Sequence, residues 1–226
     1  EKNIFFSFIL LTLISANLFS QKKEKVSYKA DELKFKRINK EPVRKLKNNV
    51  IFNQGETEIK CDSANFYNKR NILEAFGKIL ITNSDSSTIV AEKLIYDGES
   101  KTAKLRDNVI YKKGNEQVKT NNLDYYIDIK MGIFFENGEL KDEINILSSQ
   151  NGVFYGDKDL SIFYNDVKLI GENYILKSDS MTYNSISKEA ITFGFTEIKS
   201  EDSVMIESMG GVFKQESNYS KLSSSK

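Results

Sequence analysis

The side chains able to do chemistry are few and poorly arranged for it. The chain has no His and one Cys, Cys61, which removes the commonest general base, most metal-ligand sets and any internal disulfide. Asp62, Asp124 and Asp179 recur near one point of a repeating pattern, and aspartates so placed could hold calcium. They lack the Gly-Gly-x-Gly-x-Asp signature of calcium-binding solenoids. There is no Gly-rich phosphate loop, no G-x-S-x-G elbow and no paired-Cys motif. The expectation is a protein that is not an enzyme and uses no metal or cofactor. Cys61 fills a slot of the pattern that most other copies fill with a small residue, Ala, Thr or Ser, so it reads as a packing residue.

The pattern shows best between Ile89 and Tyr111, two strands joined by a turn at Asp97-Gly98. In the outgoing half, Ile89 and Ala91 are two apart, as are Leu94 and Tyr96, but Ala91 and Leu94 are three apart. A flat strand keeps period two. A three-residue step changes the face, so the strand bulges or turns a corner there. With the terminal aromatic as zero, an apolar residue stands at −7, a small one at −5 and an apolar or small one at −2. Tyr28, Ala30, Leu33 and Phe35 fit, as do Ile59, Cys61, Ala64 and Phe66. Val118, Thr120, Leu123 and Tyr125 follow, then a weaker Ser148, Gln150, Val153 and Tyr155. Leu176, Ser178, Met181 and Tyr183 complete the full copies, and Ile206, Ser208, Gly211 and Phe213 make a partial one. The zero positions 35, 66, 96, 125, 155, 183 and 213 lie 28 to 31 residues apart, so this is a repeat protein.

Each copy has a return strand with Gly, Asn or Asp in mid-run: 46–50, 75–79, 105–109, 136–140, 163–167 and 192–196. These residues tolerate bulges and positive φ. Six at matching positions predict a corner stacked in register. Asn68-Lys-Arg-Asn, Asp97-Gly-Glu-Ser, Gly156-Asp-Lys-Asp and Asn184-Ser-Ile-Ser read as turns on one side. Asn83-Ser-Asp-Ser-Ser and Lys113-Gly-Asn-Glu link one copy to the next. Pro42 is placed in a loop between the two strands of the first copy.

Of the 226 residues, 39% are hydrophobic and 29% charged, with net charge +1. Lys and Glu alternate rather than cluster, which gives no reason to expect nucleic acid. One proline and abundant Ile, Tyr, Phe and Thr point to an all-β chain. Ile4 to Phe19 is almost wholly apolar, follows Lys2 and is closed by the small residue Ser20. It is short for a membrane span and has the form of a secretory signal peptide cut after Ser20, with an uncleaved anchor as the alternative. The organisation expected is therefore a leader over 1–20, one repeat domain over 21–213 and a polar, frayed tail over 214–226.

The repeats of the form Ile-Lys-Cys-Asp-Ser-Ala-Asn-Phe-Tyr-Asn (Ile59 to Asn68), with Asn-Asn-Val at Asn48 to Val50 and Asp-Asn-Val at Asp107 to Val109, resemble the OstA-like family, periplasmic lipopolysaccharide-transport proteins of the LptA kind. The resemblance covers Tyr28 to Phe213. Its usual Gly-Asn-Val is nowhere intact here, with Asn or Asp in the Gly place. It implies an elongated, twisted β-jellyroll of stacked hairpins of about 30 residues, two antiparallel sheets set as a V. Inward positions then stack in columns. Ile59, Ile89, Val118 and Leu176 stand at −7, Leu33, Ala64, Leu94, Leu123, Val153 and Met181 at −2, and Phe66 and Tyr96 at zero. Val50, Ile79, Val109, Leu140 and Val167 come from the return strands. These columns line either a lengthwise apolar groove for the acyl chains of lipopolysaccharide or a closed core. The resemblance favours the groove and implies a periplasmic bridge toward the outer membrane. Other jellyroll domains, or further copies of this chain, would pair with its unpaired strand edges. A secreted structural or adhesive β-solenoid with a closed core and no ligand is the alternative.

Overall fold

The three-residue step in each outgoing strand and the Asn-, Asp- or Gly-bearing run in each return strand are where the chain turns its corner. The structure, a computed structural model, describes residues 26–202, 204–215 and 219–223. The leader at 1–20 lies outside the described residues. All regular structure among them is β, in seventeen antiparallel strands of one continuous sheet. In chain order these are β1 (Val26–Lys29), β2 (Glu32–Ile38), β3 (Glu41–Gln54), β4 (Thr57–Tyr67), β5 (Ile72–Thr82) and β6 (Thr88–Asp97). Then come β7 (Thr102–Lys113), β8 (Glu116–Tyr126), β9 (Met131–Phe134), β10 (Gly138–Lys141), β11 (Ile146–Ser149) and β12 (Asn151–Tyr155). The last five are β13 (Leu160–Ile170), β14 (Tyr174–Asn184), β15 (Glu189–Ser200), β16 (Met205–Lys214) and β17 (Tyr219–Leu222). The fold is a β-jellyroll in which nearly every strand pairs with the next.

Each of the long strands is bent once. Between β3 and β4 the register moves from Lys47 opposite Ser63 to Val50 opposite Cys61, so β3 carries one extra residue. The same slip falls between Phe76 and Ile79 of β5, Arg106 and Val109 of β7, Tyr164 and Val167 of β13, and Phe193 and Thr196 of β15. At each slip a residue or pair has positive φ: Asn48-Asn49, Gly77-Lys78, Asp107-Asn108, Asn165-Asp166 and Gly194. The bulge thus sits on the return strand, while the outgoing strand changes face opposite it. Asn, Asp and Gly reach the left-handed region at least cost, which is why they recur there.

The bend divides the strands into two half-sheets that face one another. Aromatic contacts cross from one to the other: Phe52 meets Phe66 at 5.2 Å and Tyr96 at 6.1 Å between ring centres, and Tyr111 meets Phe154 at 4.7 Å. The turns at 68–71, 98–101, 127–130, 156–159 and 184–188 form the rim of one half-sheet, called rim A here. Those at 55–56, 83–87, 114–115, 142–145 and 171–173 form rim B of the other.

Four local expectations change. The fifth copy is framed one residue earlier, because Leu147, Ser149, Gly152 and Phe154 are buried. The zero positions become 35, 66, 96, 125, 154, 183 and 213. The return run of the fourth copy is Phe134 to Gly138 rather than 136–140, with the positive-φ pair at Glu136-Asn137 separating β9 from β10. Pro42 lies inside β3 opposite Arg37, near the strand's start where the lost N–H is tolerated. Within the tail, residues 219–222 form β17 and pair with Gly211 to Lys214, giving the last outgoing strand a short return.

Candidate functional site

Because the faces alternate and then switch at the corner, every copy sends four side chains from its outgoing strand into the space between the half-sheets. Of the residues expected there, Val50, Ile59, Ala64, Phe66, Ile79, Ile89, Leu94, Tyr96, Val109, Val118, Leu123, Leu140, Val167, Leu176 and Met181 all have 2% or less of their surface exposed. They belong to one continuous apolar cluster, joined by Phe52, Leu73, Ile81, Tyr111, Phe134, Phe154 and Phe163. Leu33 differs: it is 44% exposed, and Phe35 beside it 75%. Both point inward from β2, but the facing half-sheet does not extend over them. Phe52, Ile81, Tyr111 and Leu169 are inward residues that the template omitted. They follow Val50, Ile79, Val109 and Val167 by two, so plain strand alternation predicts them.

The interior is layered from corner to mouth. Aliphatic and small residues stand near the bulges. The aromatics at zero and the return-strand residues Phe52 and Tyr111 stand nearer the rims. Burial pushes the Tyr125 phenol up to about 12, and Tyr111 and Tyr183 higher still. Ser87 partly offsets this at Tyr111 and Tyr125, while the Asp142 carboxylate adds to it at Tyr183. All three stay neutral donors at physiological pH. Cys61 is buried in its small-residue slot, and burial pushes its thiol up to about 11, away from the reactive thiolate.

Outside the aromatic layer, polar side chains of rim B reach rim A across the mouth. Gln54 Nε2 donates to Gly98 O at 2.7 Å. Lys130 pairs with Asp85 at 3.2 Å, and Lys113 Nζ donates to Gly156 O. Ser185 Oγ donates to Glu116 at 3.1 Å. Lys188 Nζ lies 2.8 Å from Asp142 Oδ2, which also accepts from Tyr183 OH at 2.5 Å. Asn145 Nδ2 donates to Gln215 at 2.9 Å. Sequence reasoning missed this row. Its signal is a regular separation: four of the pairs are 44, 45, 43 and 46 residues apart, about one and a half copies.

The aspartates considered for calcium serve the fold instead. Asp179 accepts the N–H of Phe195 at the last bulge, at 3.0 Å. Asp62 lies against Gly77, and Asp124 pairs with Arg106 at 2.9 Å. Among the described residues no three His, Cys, Asp or Glu converge on a metal position.

A family model described as OstA-like protein matches residues 23–179. No curated protein sequence matches the chain. Among solved structures, the chain is similar to LptH, described as the LptA homologous periplasmic component of the conserved lipopolysaccharide transport device from Pseudomonas aeruginosa. The two share 9% identity over 77% of this chain and 85% of that one, with a TM-score of 0.22.

Proposed function

The chain belongs to the OstA-like family, and on that premise we propose that it is a periplasmic lipid-binding bridge protein that carries lipopolysaccharide toward the outer membrane, holding the acyl chains in its apolar interior. The observation that carries this reading is the uninterrupted apolar cluster from Leu46 to Phe213. At about 4.8 Å per strand, the twelve strand layers from β3 to β16 make an interior about 50 Å long. An acyl chain laid along it leaves water at about 25 cal/mol per Å² of apolar surface buried. The polar corner and rims keep the outside wetted, so the cargo crosses an aqueous space without meeting it.

The leader-like residues 1–20 fit delivery to the periplasm. The ends of the stack fit a bridge. At the N-terminal end the rim A half of β2 offers Leu33 and Phe35 uncovered. At the C-terminal end the rim B half of β16 offers Ile206, 38% exposed. Each end therefore presents inward-facing apolar residues that lack the opposing half-sheet, beside strands able to accept another by edge pairing. The partner is another jellyroll domain or a second copy of this chain.

The test is photo-crosslinking. Probes at Leu94, Val109 and Leu123 should label lipopolysaccharide, and outward probes at Lys93 and Lys104 should not. Equal labelling at both sets counts against carriage. A second reading, a structural or adhesive β-solenoid with a closed core, is favoured by the tight filling of the interior. It predicts no labelling at any position.

A further inference from the structure

A carrier whose inner columns are covered at both walls needs a way in. We infer that the polar row across the mouth is a seam that parts lengthwise, letting an acyl chain enter from the side rather than only through the ends. This rests on the lipid-carrying reading above.

Four observations locate the opening there. First, the rims differ from the walls in how they are held. Each wall is a strand ladder, and rim A is further tied along its length by backbone bonds from Gly98 to Asn71, Ile127 to Lys101, Gly156 to Lys130, Ser185 to Asp159 and Gln215 to Lys188. Among the described residues, no backbone-to-backbone bond joins rim A to rim B. Every contact across the mouth uses at least one side chain. Parting the rims leaves both ladders intact.

Second, the corner opposite the mouth is already a line of bulges. Five successive return strands of full length put a left-handed residue or pair there, and a bulge absorbs a change of bend without breaking the pairing on either side. The hinge and the seam therefore run parallel, on opposite sides of the interior.

Third, the seam is polar although much of it is buried. Gln54, Asp142 and Asn145 are each 5% exposed or less. Apolar residues would close the mouth more firmly. Amides, carboxylates and ammonium groups recover their hydrogen bonds from water once the rims separate, so a polar closure costs far less to open than an apolar one.

Fourth, the layer just beneath is aromatic. Tyr111, Tyr125 and Tyr183 have their hydroxyls toward the seam and their rings over the aliphatic columns. Tyr183 bonds directly to the latch at Asp142, and the Gly156 backbone that takes Lys113 lies against the Tyr111 hydroxyl. Parting the latches frees the rings that cap the columns.

The experiment locks the seam reversibly. In a Cys61→Ala background, Asp85→Cys with Lys130→Cys and Glu116→Cys with Ser185→Cys place thiols on both rims. A short bis-methanethiosulfonate reagent bridges each pair, and uptake of cis-parinaric acid is followed by its fluorescence. We expect uptake by the unbridged four-cysteine protein, loss of uptake on bridging, and recovery in the same sample after reductant. A one-armed methanethiosulfonate on the same cysteines should leave uptake in place, which separates locking from modification. Unchanged uptake after bridging means entry through the ends and overturns the seam alone. No uptake in any form, with wild-type protein also silent, overturns the lipid reading and the seam with it.

Discussion

Asp142 shows how one carboxylate can hold two strand rims together. It takes Lys188 and Tyr183 at Oδ2, and at Oδ1 the N–H groups of Ile144 and Asn145, at 2.9 and 2.8 Å. Burial alone would raise its pKa. The ammonium, the phenol and the two amides outweigh that and hold the carboxyl below its ordinary 3.8. Tyr174 and Glu116 also feel its charge. A carboxyl with a depressed folded-state pKa stabilises the protein above its unfolded-state value, and that contribution is lost as pH falls through the folded value. The loss from Asp142 therefore begins near pH 3.8 and completes below it. Asp142→Asn should lower stability at neutral pH by about 2–3 kcal/mol. It should also flatten the acid limb of the urea-midpoint profile. An acid limb identical to wild type would show that another group controls it.

At the scale of the strand, the middle copies trade bulk between neighbours. A Cβ on Gly132 would stand 2.2 Å from the ring of Phe154, and one on Gly138 or Gly152 would stand 2.3 Å from that of Phe134. Each ring occupies space that a side chain fills in other copies. Gly132→Ala should thus cost about 2–3 kcal/mol, as overpacking does, because the ring must leave its place. In a Phe154→Leu background the same change should cost less than about 1 kcal/mol, since leucine lacks the ring's far edge. Additive costs in a denaturation cycle would mean that the ring moves freely. This exchange also marks where the sequence stops being readable. The repeat period, the corner residues, the hairpin turns and the packing role of Cys61 were all legible from spacing. A template that looks for apolar residues passes over an inward glycine, so it slid by one at Tyr155 and by two at 136–140. The seam was illegible for another reason. Its partners are 43 to 70 residues apart, well over one copy, and nothing local to Asp85 points to Lys130.

That same separation shapes the whole molecule. The half-sheets face one another with an offset of 43 to 70 residues, so neither covers the other at its ends. Rim A overhangs at the N-terminal end, exposing Leu33 and Phe35, and rim B overhangs at the C-terminal end, exposing Ile206. The two steps are complementary, like the halves of a lap joint. A joint between unlike ends is heterologous, and with the two steps at opposite ends of a long stack, copies joined this way extend head to tail into open chains. The proposed self-association then has a distinctive genetics. Phe35→Asp spoils one end and Ile206→Asp the other, and neither lies in the apolar cluster that holds the fold. In sedimentation velocity, wild type should grow with concentration into a series of species, and each variant alone should stay monomeric. An equal mixture should form dimers and stop, because only one sound pair of ends remains. A symmetric contact predicts something else: at least one variant would still self-associate, and mixing would not restore what both had lost.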